Sequence, residues 1–304
     1  MEIIIDENLS GKTIKTIVRE MGISRNQLIE LKKDPRGILL NGEHVTVRAA
    51  VSQGDTLSLA TEDTSDDENP YIPPLDIPLD VIYEDDHLIA VDKPQGMPTH
   101  PSLYHHDDTL ANALVAYFQK KGTPFVFRAV NRLDAGTAGV VLVAKDHLTS
   151  KLMCEQMQEG KINKTYLMLV HGDVEERGEI EGYIRRKGVS IIERELLREP
   201  CEGGEYSLTE WEKVASGNGI SLVKAHPKTG RTHQLRVHFA SIGHSLIGDS
   251  LYGEADTRIA HQALFASELC FMHPYTKEKM LLCAKMPKEM QKICEDCFGK
   301  TDFE

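Results

Sequence analysis

Residues 61–86 carry ten acidic side chains and no lysine or arginine, and four prolines fall between positions 61 and 78. Same-sign charge and proline together oppose both helix and central strand. The segment therefore cuts the 304-residue chain into two pieces, each of which must bury a core of its own. The expected organisation is a small domain over 1–62, an acidic proline-rich linker over 63–78 that acts as a spacer, and a large domain over 79–304. The same segment accounts for most of the charge. The formal net charge is −12, yet residues 1–60 hold eight basic and eight acidic side chains, and the stretch beyond residue 86 holds 27 and 29. A bulk charge of −12 argues against a phosphate-rich partner. Its confinement to one segment leaves two nearly neutral domains, either of which can carry a local basic groove.

No run of about eighteen apolar residues occurs, and the N-terminal MEIIID lacks a basic segment followed by a long apolar one. These features predict a cytoplasmic protein with no membrane partner. Six cysteines in such a chain read as reduced thiols. Cys294 and Cys297 form a CxxC, but no second CxxC or histidine pair stands at finger-like spacing. The expected setting is a C-terminal helix with two thiols one turn apart, and no metal.

In the small domain, Ile14, Ile17, Val18 and Met21 recur at helical spacing. Ser24 is a candidate cap for a second helix with Leu28, Ile29 and Leu31 inward and Arg25, Lys32 and Lys33 outward. ILL at 38–40, the Asn41-Gly42 turn and VTV at 45–47 describe a hairpin, and a further strand is expected over 56–59. Two helices with basic residues followed by a strand pair of the form ILLNG resemble a small RNA-binding domain first known from a bacterial small-subunit ribosomal protein. The resemblance covers about 50 residues and implies an RNA-binding role.

The large domain opens with a predicted hairpin, apolar runs at 81–83 and 88–91 around the turn EDDH. A rigid loop follows, DKPQGMPTHP, and then a helix capped by Asp108 or Thr109 with Leu110, Leu114 and Tyr117 on one face. Next comes NRLDAGTAG at 131–139, an arginine two residues before a carboxylate in a small flexible loop, leading into the apolar strand 139–144. A helix over 146–158 with Leu148, Leu152, Met153 and Met157 inward, a buried strand over 163–170, and strands near 206–211 and 220–223 complete the middle of the domain. Residues 185–204, with charges of both signs, read as an exposed loop or ribbon. In HPKTGRTHQLRVHF at 226–239, Pro227 and Gly230 make a turn, and Thr232 is expected to cap a helix with Leu235, Phe239 and Ile242 inward. So many polar donors against an apolar helix face suggest an anion- or substrate-binding edge.

An aspartate before a strand is usually a turn or cap residue. Here four stretches concur: DKPQGMPTHP, NRLDAGTAGVVLVAK, KTYLMLV and HPKTGRTHQLRVHFASIGHSLIGD, with HPYTKEKM near the end. Together they resemble the RluA-type family of pseudouridine synthases over roughly residues 80–290. The resemblance implies an α+β fold with a mixed, largely antiparallel sheet, and a cofactor-free isomerisation in which uracil is detached from ribose, turned and rejoined through carbon 5. Asp134 would be the nucleophile at the anomeric carbon or the base at the neighbouring sugar carbon. Arg236 matches the family's paired cation, which holds the carboxylate ionised and oriented. Tyr166 would stack on the base or take part in proton transfer, and Leu235 would pack under it. A stacked uridine must be extruded to reach such a pocket, and Arg132 is placed to fill the vacated space. Arg231 and Lys93 are candidates for RNA backbone contacts, and His233 for ordering the helix start.

The chain departs from the family pattern at Asn131, Ala138, His261 and Phe265, which bear on target choice rather than on chemistry. The implied partner is ribosomal or transfer RNA, with a monomeric enzyme. Two other readings compete: a non-catalytic RNA-binding protein assisting ribosome assembly, and a glycosidase with Asp134 as one carboxylate. The first is opposed by retention of Asp134, Tyr166 and Arg236, the second by the lack of a second motif carboxylate with that role.

Overall fold

The structure, a computed structural model, describes residues 2–21, 23, 25–60, 72–102 and 105–299. The N-terminal unit is a four-stranded antiparallel sheet of β1 (Glu2–Ile4), β2 (Ile38–Leu40), β3 (Glu43–His44) and β4 (Thr56–Leu59), in the order β1-β4-β2-β3. Helices α1 (Ile14–Glu20) and α2 (Arg25–Lys33) close over it through Ile14, Ile17, Val18, Leu28 and Leu31. The Asn41-Gly42 turn has positive φ at both residues, 54° and 84°, as a tight two-residue hairpin requires. Ile29, expected inward, is exposed, because the buried stripe of α2 runs through Leu28 and Leu31. Thr13, through its side chain, caps α1; the expected Ser24 cap lies outside the described residues. The core of this unit also takes in Leu148 from the large domain, so the two units share an apolar contact.

The large domain is built on one eleven-stranded sheet. Its strands are β5 (Asp80–Glu84), β6 (Leu88–Lys93), β7 (Arg128–Ala129), β8 (Ala138–Ala144), β9 (Asn163–His171), β10 (Arg177–Arg186), β11 (Arg194–Leu197), β12 (Glu205–Gly217), β13 (Ile220–Pro227), β14 (Leu264–Met272) and β15 (Lys279–Cys283). The main path runs β11-β10-β12-β13-β9-β14-β8-β6-β5, with β15 on β14 and β7 on β8. Every pair is antiparallel except β14 with β8. This is the mixed, largely antiparallel α+β architecture expected.

Strand β8 shows why its sequence is continuously apolar rather than alternating. Val141 and Val143 belong to the core on one face, and Val140 and Leu142 to the core on the other. A strand covered on both sides has no polar face to display. Helices α3 (Leu110–Lys120) and α5 (Gln234–Ser241) cover the first face through Leu110, Leu114, Phe118, Leu235 and Phe239. On the opposite face, α4 (His147–Gln158) buries Met153, and α6 (Lys288–Phe298) buries Met290, Ile293 and Cys294. Thr109 caps α3 in a reciprocal pair with Asn112, and Asp146 caps α4. Cys294 and Cys297 sit one turn apart on α6, and the described residues contain no group of three or more metal-ligating side chains.

The linker is only partly what its composition implies. Asn112 Nδ2 donates to the Pro73 carbonyl at 2.8 Å, Leu75 N donates to the Asn112 carbonyl at 3.2 Å, and Ile77 and Leu79 pack on the core of the large domain. Residues 73–79 are therefore a strap along α3 rather than a free spacer, and residues 61–71 lie outside the described set. Within 185–204, the end of β10 and all of β11 form a ribbon, paired over 183–186 and 194–197, and residues 198–204 are loop.

Candidate active site

Asp134 sits in the loop between β7 and β8, and the chain fixes its neighbours on both sides. Thr99 Oγ1 donates to the Leu133 carbonyl at 2.8 Å and accepts from Leu133 N at 3.1 Å. On the other side, the Ala135 carbonyl accepts from Gly96 N at 2.8 Å and from Lys93 Nζ at 3.3 Å. The loop DKPQGMPTH is thus the mount of Asp134, which explains why those two motifs occur together. Gly136 lies against the side chain of Gln262, whose Oε1 would stand 2.5 Å from a Cβ at that position. Asn131 adds a clamp, donating to the Val140 carbonyl at 3.0 Å and accepting from Leu142 N at 2.8 Å.

Lys93 is not an RNA contact. Its side chain is fully buried, and its ammonium also donates to the carbonyls of Pro94 at 2.9 Å and Met97 at 2.6 Å. Burial pulls its pKa down to about 7, with Asp134 and Asp92 opposing that pull. The lysine serves the shape of the loop from inside.

Arg236 projects from α5, and its guanidinium is gripped from behind. Nε and Nη2 each donate to one oxygen of Asp249 at 2.7 Å, a bidentate pair, while Nη1 faces Asp134 Oδ2 at 3.8 Å. Burial works against the charge of Arg236, and the Asp249 carboxylate more than offsets it. Asp249 is the residue that sequence reading missed. It stands in the GHSLIGD stretch, but only the fold shows which cation it meets.

His233 occupies the position before α5 in a left-handed conformation, φ 58°, with no side-chain cap bond. The expected Thr232 cap is therefore absent; the Thr232 hydroxyl instead accepts from Arg132 Nη2 at 2.7 Å. Ile242, expected inward, is exposed just past the end of the helix. His233 Nδ1 lies 2.8 Å from Tyr252 Oη, which also accepts from Arg194 N at 2.9 Å. Burial lowers the pKa of His233, and the nearby Arg236 and Arg194 lower it further against the pull of Asp134. The other ring nitrogen, Nε2, lies 3.9 Å from Asp134 Oδ2.

A cavity of about 510 Å³ opens over these groups, lined among others by Asp134, Tyr166, Leu235, Arg236, Arg132 and Arg231. Its volume suits a small-molecule-sized group, within a range of about 300–1,000 Å³. Of the seven site residues expected, six line it, and Lys93 alone does not. Tyr166 is buried, and burial together with the Asp134 carboxylate pushes its hydroxyl pKa upward. Arg231 is paired with Glu205 at 2.9 Å and also donates to the Tyr206 carbonyl. Lys164, not anticipated, lines the same cavity and donates to the Thr229 carbonyl at 3.4 Å. Two of the family departures prove to be one packing unit: Ala138 and Phe265 are register partners on β8 and β14, both buried in the core behind the site. Neither side chain lines the cavity.

A carboxylate and an arginine thus converge in a cleft on an extended mixed sheet, with a histidine beside them. The family described as RNA pseudouridylate synthase matches residues 87–241. A Bacillus subtilis protein named as an uncharacterized RNA pseudouridine synthase, YjbO, is 33% identical over 282 residues, 92% of this chain and 98% of its own. Ribosomal large subunit pseudouridine synthase D of Zymomonas mobilis is 32% identical over 283 residues, 88% of each chain. Among solved structures, human RNA pseudouridylate synthase domain containing 1 superposes with a TM-score of 0.57 at 27% identity, covering 68% of this chain and 83% of that one. The chain belongs to the RNA pseudouridine synthase family, isomerases that act on RNA.

Proposed function

We propose that the enzyme converts uridines of large-subunit ribosomal RNA to pseudouridine, with Asp134 as the reacting group. The observation that carries the chemistry is that Asp134 is the carboxylate in the cavity faced by the Arg236 guanidinium, 3.8 Å away, which Asp249 holds in place. A flipped uridine would place its anomeric carbon beside Asp134 and its base against Tyr166 and Leu235, paying a few kcal/mol of unstacking. Asp134 then acts as nucleophile or as base toward the sugar. Because burial raises the Tyr166 pKa, the phenol stays protonated at neutral pH, which suits stacking or proton donation and not base catalysis. His233 Nε2, 3.9 Å from the carboxylate, would supply a second donor to it when it carries the ring proton. Arg132, exposed at the rim and tied to Thr232, would enter the space the base vacates, and Arg231 would meet the RNA backbone.

The target reading rests on the relatives that are named ribosomal large subunit pseudouridine synthase D, from several bacteria. The N-terminal unit would hold RNA, and the enzyme would work as a cytoplasmic monomer. Mapping pseudouridines in a deletion strain against its parent tests the proposal. Loss of one or more sites in large-subunit ribosomal RNA supports it. Loss confined to transfer RNA, or no loss at all, contradicts it.

A further inference from the structure

Helix α6 carries a feature for which the chemistry at Asp134 has no use. All six cysteines are free thiols, and of these Cys294 and Cys297 alone share a helix. Their settings differ. Cys294 is buried in the core that also holds Ala138 and Phe265, whereas Cys297 is half-buried at the edge of that core, in the last turn of the helix. Burial first, and then the neighbouring Cys297 and Glu295, push the Cys294 thiol up to about 12, so it keeps its proton at neutral pH.

A cation stands beside the outer thiol. Arg258 grips Asp256 through Nε and Nη2 at 2.9 and 2.6 Å. Asp256 does most to hold the guanidinium charged, and the Cys297 sulfur adds charge attraction and a hydrogen bond of its own to the same group. The Arg258 side chain is 43% exposed, so this pairing reaches solvent. The thiolate is the form of cysteine that attacks an oxidant. At Cys297 it would form next to a positive charge, with its buried partner three residues earlier.

Helix geometry places the two within reach of each other. Residues three apart in an α-helix have Cα atoms about 5 Å apart, inside the disulfide window of about 4.4–6.8 Å. Their Cβ atoms stand about 5–6 Å apart, and a bridge needs about 3.5–4.5 Å. The last turn must therefore tighten by roughly 1 Å for the sulfurs to join. Cys297 sits where this is easiest, because α6 ends at Phe298 and Gly299 leaves the helix at φ 83°. Resistance comes from the seat of that turn. Asn218 Nδ2 donates to the Asp296 carbonyl at 3.3 Å, and the Cys297 carbonyl lies so close to Gly217 that a Cβ there would collide with it. A bridge closed against this seat is strained, and strained disulfides are the readily reduced ones.

We propose that Cys294 and Cys297 are a reversible thiol–disulfide pair that takes hydrogen peroxide as oxidant, Cys297 reacting first and Cys294 closing the bridge. The Cys297 thiolate attacks one peroxide oxygen, the O–O bond breaks, and a sulfenic acid remains on Cys297. The hydroxide that departs takes up, as water, the proton that Cys297 had released. Cys294 then attacks the Cys297 sulfur. The S–S bond forms as the S–O bond breaks, and the second hydroxide leaves as water with the Cys294 proton. Two electrons pass from the thiols to the peroxide. The pair does not depend on the role of Asp134, and its oxidation is read without RNA.

The reduced full-length protein is treated with stoichiometric hydrogen peroxide, remaining thiols are alkylated, and tryptic peptides are weighed. Peptide 293–300 carries both cysteines and no other. It is expected to escape alkylation and lose two hydrogens, and to regain both thiols with glutathione. Cys297→Ala should leave Cys294 a free thiol after the same treatment, and Cys294→Ala should leave Cys297 a sulfenic acid that dimedone traps. Arg258→Gln should slow bridge formation several-fold, and Arg258→Lys should restore it. Both thiols of 293–300 alkylated while the exposed Cys154 and Cys283 are oxidised overturns the pair. So does a bridge that forms only in urea, or one that glutathione fails to open. Sulfenic acid on Cys294 in Cys297→Ala, formed as fast as on Cys297, overturns the order of attack, and an unchanged rate in Arg258→Gln overturns the part given to the cation.

Discussion

Replacing Lys93 by methionine isolates the one buried ammonium that supports the active-site loop. Lys93 is fully buried, and its pKa falls from 10.5 to about 7 through burial. The unfolded chain then binds one more proton at this residue than the folded chain does between about pH 7 and pH 10.5. Folding stability gains from this residue as pH rises through that window, and its penalty is complete below about pH 7. The slope is about 1.4 kcal/mol per pH step, so wild type should gain roughly 2 kcal/mol from Lys93 between pH 8 and pH 9.5. Methionine, similar in length and without charge, removes that gain. Urea unfolding followed by the fluorescence of Trp211, the only tryptophan and a buried one, measures both proteins at the two pH values. The difference between wild type and Lys93→Met should change by roughly 2 kcal/mol over that interval. Identical pH dependence in the two proteins would refute the reasoning. The variant also loses the ammonium bond to the Ala135 carbonyl beside Asp134. With the amine largely neutral at pH 8, such a bond is worth about 1 kcal/mol, so pseudouridine formation at that pH should slow several-fold.

Asp249→Ala strips the buried Arg236 of its bidentate partner, and should lower stability to urea by about 3–5 kcal/mol and abolish modification; a variant as stable as wild type would contradict that grip. Tyr252→Phe removes the hydroxyl that joins Arg194 N to His233 Nδ1. It should cost about 1 kcal/mol of stability and slow pseudouridine formation several-fold, measured as initial rates on an unmodified transcript. An unchanged rate would show that the orientation of His233 does not matter to the reaction.

Elements governed by local chemistry were legible in the sequence. The Asn41-Gly42 hairpin, the Thr109 cap and the continuous apolar run of β8 follow from turn geometry, capping and two-sided burial. Asp134, Tyr166, Leu235 and Arg236 converge as the motif resemblance implies. What escaped the sequence is pairing across distance. Asp249 and Arg236 stand thirteen residues apart, and nothing local says that the aspartate grips the arginine. Lys93 reads as a surface cation, because its burial depends on three carbonyls delivered by two different loops. The start of α5 was misread at Thr232, since the turn before it uses a left-handed histidine held from Tyr252, a residue 19 positions away. The linker was misread in its second half because Asn112, on the far side of the chain break in composition, supplies the bonds that strap it to α3.

The central claim, that Asp134 is the reacting group, meets its most direct test in Asp134→Asn. Among the described residues the Asp134 carboxylate accepts no hydrogen bond, and the Arg236 guanidinium and the His233 ring stand 3.8 and 3.9 Å away. The substitution should therefore leave the urea midpoint close to that of wild type. Pseudouridine formed in an unmodified large-subunit ribosomal RNA transcript should fall to none with the folded variant, and formation at the wild-type rate would contradict the account.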